Sequence, residues 1–196
     1  MKSLFLLLFL FPLVCHSQNF IGIKAGVNKS DLIGDGIKGF EKSGFNGGFL
    51  FQLKLNKSFS GQINLLFSNK GCAYNWKDPD LTKSRHFVKL YYIDFPILFL
   101  YHFKKIVFEA GPGLAYLINY REYIPGYSLN NAKYPFNWKD ITMNAGIHYN
   151  VYDNFGLNFL YSFSIMPIRN EPSRQYNNVF TLSLDYLLPL AKKTKP

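Results

Sequence analysis

Apolar and polar residues alternate most regularly between Tyr91 and Ile118. On the first arm of this stretch every second residue from Tyr91 onward is aromatic or aliphatic, and Asp94 lies on the opposite face. On the second arm apolar residues such as Phe108 alternate with Glu109 and glycines. Polar residues and prolines interrupt the run, whereas a membrane-spanning helix needs about 20 apolar residues. Because successive side chains of a strand point to opposite faces, the two arms predict a β-hairpin turning at HFKK.

Similar alternation predicts six further strands. They fall at 20–28, 44–55, 59–69, 140–151, 155–165 and 178–188. Long polar segments at 29–43, 71–86, 121–137 and 166–175 separate some strands, and short turns join the others. An even strand number with short periplasmic turns and longer outer loops is typical of outer-membrane barrels. The sequence therefore predicts an all-β fold, an eight-stranded antiparallel up-and-down transmembrane β-barrel with four long outer loops.

The apolar face of these strands is expected to lie outside the barrel. An eight-stranded barrel is only just wide enough inside for side chains, and a phenylalanine-rich face would overfill it. The side chains expected to face lipid are Phe49, Phe51, Phe67, Phe95, Phe99, Phe159, Leu182 and Leu184. Aromatic residues near the strand ends, with Tyr91, Tyr116 and Tyr120 on the outer side, fit the girdles found at membrane interfaces.

The opposite face holds small and polar residues and a few charges. The charged residues predicted to point into the lumen are Lys24, Lys54, Asp94, Glu109 and Asp185. Lys24 neighbours Asp185 if the first and last strands pair. Buried charges are tolerated when they are paired and hydrogen-bonded, so we interpret this set as a structural plug of ion pairs. A proton or ion path is the functional alternative.

The termini and the net charge add to this prediction. Residues 1–17 resemble a secretory signal peptide, with Lys2 before an apolar run and cleavage before Gln18, although Cys15 leaves a lipoprotein signal open. The barrel would occupy 18–188, and 189–196 would form a basic tail. The full chain carries a formal charge of +10. No nucleic-acid-binding fold is recognisable, so anionic lipid headgroups are the expected counter-charge.

Motifs for chemistry are missing from the sequence. No nucleophile elbow, phosphate loop, dinucleotide fingerprint or metal-ligand spacing is found. We therefore predict no enzymatic activity, no cofactor and no catalytic or metal site. Trp76 and Trp138 lie in or beside long loops and are candidate contact residues, with membrane-interface anchoring as the simpler role.

Several motifs resemble one family of barrels. The stretch IGIKAGVNKSDL after the signal, YIDFPILFLYHF, FEAGPGLAYLI, and GLNFLYSFSI followed by TLSLDYLL are similar to the PorT-like outer-membrane β-barrel proteins of Bacteroidetes-type bacteria. The resemblance implies location in the outer membrane. The founding member is linked to secretion of surface proteins, so envelope or secretion proteins are expected partners beside outer-membrane lipid. The tail at 189–196 departs from the family, whose barrels usually stop near an aromatic strand end.

Two functions follow as expectations. The first is a non-enzymatic integral outer-membrane barrel that serves structure or surface interaction and assists secretion of surface proteins. The second is a secreted soluble barrel, similar to a lipocalin, that binds an apolar ligand; it requires the phenylalanine face to point inward. Oligomeric state is not predicted.

Overall fold

A computed structural model describes residues 19–34, 40, 42–75, 85–123 and 134–190. It contains the strands β1 (Asn19–Ile33), β2 (Lys42–Lys54), β3 (Phe59–Asn75), β4 (Arg85–Phe103), β5 (Ile106–Tyr123), β6 (Lys139–Tyr152), β7 (Phe155–Ser164) and β8 (Tyr176–Pro189). Each strand pairs antiparallel with the next, and β8 pairs with β1 to close the barrel. The predicted eight-stranded antiparallel up-and-down barrel is confirmed. Among the described residues no helix is long and apolar enough to cross a membrane.

Several strands extend into segments that the sequence predicts to be loops. β1 continues to Ile33, β3 to Asn75 and β5 to Tyr123, and β4 already begins at Arg85. The loop predictions at 29–43, 71–86 and 121–137 were therefore wrong at their edges. Above the membrane a strand needs no apolar outer face, so the alternation fades while the backbone ladder continues.

A β-bulge in β5 changes which side chains point inward. Tyr91 pairs with Asn119 and Tyr92 pairs with Leu117, so Ile118 has no partner on β4. The extra residue shifts the alternation of everything that follows it. Tyr120 consequently packs inside against Phe136, with ring centroids 5.4 Å apart. Its predicted place in the outer aromatic girdle is wrong, because period-two counting cannot detect an inserted residue.

The outer wall carries a continuous apolar band. Its exposed members include Ile23, Val27, Phe49, Phe51, Ile63, Phe67, Ile97, Phe99, Phe159, Leu182 and Leu184. Phe95 shares this outer face but is half-buried, since its ring packs edge-on against Tyr116. On β4 the band runs from Tyr91 to Tyr101, which at about 3.3 Å per residue and a tilt of about 45° spans roughly 23 Å. Outer-membrane barrels carry an apolar band about 25 Å tall.

Candidate functional site

Polar side chains fill the middle of the lumen. The Thr181 hydroxyl donates to Asn28 Oδ1 at 2.8 Å, and Asn28 Nδ2 donates to Ser68 Oγ at 2.9 Å, which links β8, β1 and β3 across the interior. The cavity left beside them, where Lys24 points, measures about 30 Å³. A cavity needs about 10–15 Å³ to hold one water. The central cavity therefore has room for about two waters.

The charged residues predicted to face the lumen do not form one cluster, although Lys24 and Asp94 line the same central cavity. Asp94 binds Lys70, with Nζ 2.8 Å from Oδ2. Glu109 accepts a hydrogen bond from Asn158 Nδ2 at 2.5 Å. These two carboxylates are therefore held by separate partners, and neither partner was singled out from the sequence.

The remaining three predicted lumen charges lie in the middle and at the lower end of the barrel. Lys24 and Asp185 are cross-strand partners in the β1–β8 ladder, as the sequence predicts. The Asp185 carboxylate nevertheless lies closest to the His148 ring, whose Nδ1 is 3.3 Å from Oδ1. Lys54 is half-buried at the lower rim, where it lines a cavity of about 120 Å³ together with His102. The structure thus replaces a single ion-pair plug with local contacts at different depths.

The outer end of the barrel is closed by a small apolar core, which we call the outer cap. It consists of the buried residues Leu32, Cys72, Val88, Leu90, Tyr92, Ala115, Phe136 and Ile168. Phe136 and Ile168 come from the two segments that join β5 to β6 and β7 to β8. Asn137 N donates to Ile168 O at 2.6 Å, which ties the two segments together. A second, smaller apolar cluster of Leu98, Leu100 and Val107 lies at the opposite end of the lumen, so the polar middle lies between two apolar clusters.

Arg169 fastens the outer cap. Its guanidinium makes two parallel contacts with the Glu122 carboxylate, at 3.0 and 2.6 Å, and its central carbon lies 3.6 Å from the ring centroid of Phe136. Bidentate arginine–carboxylate pairs combine geometric specificity with strength, and guanidinium groups stack well on aromatic rings. Arg169 lies in a predicted loop, and no periodic signal in the sequence indicates its role. The sequence does indicate Lys70 as a lumen charge, because Lys70 lies one residue beyond the predicted end of the third strand and on its inward face.

The two candidate contact tryptophans have different outcomes. Trp138 is exposed on the outer wall, where its ring centroid lies 5.7 Å from that of Tyr116. Lys139 Nζ lies 4.2 Å from the centroid of the Trp138 ring. This position at the upper edge of the apolar band suits a membrane-interface residue. Trp76 lies outside the described residues, as do the predicted signal peptide and most of the basic tail.

Burial affects the ammonium group of Lys42, which lies above the apolar band at the start of β2. Its Nζ donates to Asn69 Oδ1 at 2.6 Å and to Ser43 O at 2.8 Å. Burial lowers the pKa of Lys42, and the positive charge of Lys89 lowers that pKa further. Within the described ranges no group of three or more His, Cys, Asp or Glu side chains could hold a metal ion.

Comparison with known families agrees with the closed barrel and its apolar wall. Residues 16–170 match the outer membrane protein beta-barrel domain family. The chain belongs to this family. It is therefore an outer-membrane β-barrel protein, located in the outer membrane.

Solved structures show the same fold. Ail, the attachment invasion locus protein of Yersinia pestis, is 14% identical with a TM-score of 0.51, covering 87% of this chain and 99% of Ail. A complex of Ail with the heparin analogue sucrose octasulfate gives a TM-score of 0.53, again at 14% identity, with the same coverage of both chains. Neisserial surface protein A is 13% identical with a TM-score of 0.50, covering 86% of this chain and 96% of that protein. No curated protein matches the sequence.

Proposed function

We propose that this family member is a non-conducting, non-enzymatic barrel whose outer end is a surface for interaction with other envelope molecules. The observation that carries the proposal is the combination of an apolar outer band with a lumen closed at its outer end by the cap. A filled lumen excludes general porin function. Rigid scaffolds commonly carry function on their loops, and the long connections of this barrel all leave from its capped end.

The lipid-facing roles of the eight predicted residues are part of this proposal. Seven of them are exposed on the outer wall and Phe95 is half-buried there. The soluble alternative needs an apolar interior with space for a ligand. The central cavity instead measures about 30 Å³, far below the roughly 300–1,000 Å³ of small-molecule pockets. Assistance to secretion, as in PorT-like proteins, stays a prediction of the sequence resemblance.

Electrophoresis of the washed outer-membrane fraction, with and without boiling, tests the proposal. A closed membrane barrel in mild detergent should migrate differently before and after boiling, because its hydrogen-bonded strands resist the detergent. The same purified protein in planar bilayers should show no sustained conductance. Recovery only in the soluble periplasmic fraction would contradict membrane insertion, and steady conductance steps would contradict the closed lumen.

A further inference from the structure

Two basic side chains stand directly opposite each other on the outer wall. Lys89 of β4 and Arg121 of β5 are cross-strand partners, and both point outward. Like charges directly opposite each other in an antiparallel pair are destabilising. In the part of the chain that the structure describes, neither makes an ion pair with a carboxylate. An anion bound between them would remove the repulsion.

The height of this pair on the wall indicates where such an anion would come from. The pair lies one step above Tyr91 and Asn119, where the apolar band ends. Other strands also place outward cations just above the band, namely Lys29 on β1 and Lys139 on β6. In an inserted barrel this level coincides with the headgroups of the outer leaflet. The nearest anions at this level are the phosphate groups of the lipid headgroups.

Side chains around the pair form a receptive surface. Phe87 and Tyr123 stack directly above it, with ring centroids 5.5 Å apart and planes within 18° of parallel. Lys89 Nζ lies 5.1 Å from the centroid of the Phe87 ring. On the other side of Lys89, its partner on β3 is Gly71, which contributes no side chain. A flat aromatic surface beside two cations suits a phosphate carried on a sugar ring.

We propose that Lys89, Arg121 and the Phe87–Tyr123 stack form a binding site for a phosphate group on a glycolipid of the outer leaflet. The site rests on the proposed function, because it requires an inserted barrel with its capped end outside. Arg121 offers a planar guanidinium fork for two phosphate oxygens and Lys89 offers a point charge.

Native mass spectrometry of the full-length barrel in neutral detergent tests the site. Bisphosphorylated lipid A is the probe, and dephosphorylated lipid A is the matched lipid. The wild-type barrel should bind only the phosphorylated form. Lys89→Gln with Arg121→Gln should weaken binding at least about tenfold, since two hydrogen bonds to a charged group are lost. Lys29→Gln with Lys139→Gln removes the same amount of charge from other outward positions without changing the pair, and it should weaken binding less.

Stability supplies a second readout. In phosphatidylcholine nanodiscs without lipid A, Lys89→Gln with Arg121→Gln should raise the urea midpoint, because the repulsion is gone. Adding bisphosphorylated lipid A should raise the midpoint of the wild type more than that of the variant, because only the wild type binds it.

Several results would overturn the site. They are equal binding of both lipids, equal losses in the two double variants, and displacement of lipid A by inorganic phosphate at matched concentration, which would indicate a soluble anion. The boiling-dependent gel shift of the same samples separates the two proposals. A barrel that shifts but shows no phosphate preference refutes this site alone, whereas absence of the shift refutes membrane insertion.

Discussion

Arginine substitutions at two leucines of β8 test how the barrel meets the membrane. Leu182 and Leu188 both point outward from one strand and are 48% and 49% exposed. They differ in depth, because six residue steps at about 3.3 Å and a tilt of about 45° separate them by roughly 14 Å along the membrane normal. Leu182 pairs with Phe159 in the middle of β7, whereas Leu188 pairs with Ile21 near the lower rim.

The depth of the substituted residue in the membrane should determine how much stability is lost. A basic residue on the lipid face costs about 2–4 kcal/mol at the midplane and about 0–1 kcal/mol near the interfaces. Leu182→Arg should therefore lower the free energy of unfolding from liposomes by about 3 kcal/mol, and Leu188→Arg should lower it by less than about 1 kcal/mol. Urea titrations of refolding, read from the boiling-dependent gel shift, measure both. Equal losses would refute the lipid-facing band, because a water-exposed wall has no depth dependence.

Three further predictions concern the interior. Arg169→Met should destabilise the barrel by about 3 kcal/mol because it breaks the part-buried bidentate ion pair with Glu122, and adding Glu122→Gln should recover part of the loss in the same titration; no recovery would contradict the pairing. Cys72 is buried in the outer cap, so a maleimide should label it only after unfolding in urea, and rapid labelling of the folded barrel would show that the cap is open. Gly156→Val should cost about 1–3 kcal/mol through overpacking, since a Cβ there would overlap the His148 ring; an unchanged urea midpoint would contradict that packing.

The parts of the fold immersed in the membrane could be predicted from sequence. There each strand shows apolar residues outward and mostly small or polar ones inward, so Phe155 to Ser164 follows a period of two that only Leu160 interrupts. Above the apolar band the outward residues need not be apolar, so alternation no longer indicates where the strands continue. The bulge at Ile118 leaves no trace in composition, and one inserted residue was enough to misplace Tyr120.

Pairing among the inward charges could not be predicted, because it depends on reach across the lumen. Asp94 is the backbone partner of Leu66, and Lys70 is the partner of Leu90. Their ion pair is therefore diagonal, formed by a long lysine side chain that spans one inward position. Lys24 and Asp185 are direct backbone partners, yet His148 lies within 3.3 Å of the Asp185 carboxylate. Neighbouring positions in a ladder indicate which charges can meet, not which ones do.

The outer cap has a consequence for how this protein can change over evolutionary time. The segments on either side of residues 124–133 are anchored, at one end by Glu122 on Arg169 and at the other by Phe136 in the cap. The entropy of closing a loop grows only slowly with its length. Insertions and substitutions between these anchors should therefore leave the barrel folded. A lineage under pressure from antibodies, phages or new hosts could remodel this stretch while the scaffold beneath it stays fixed.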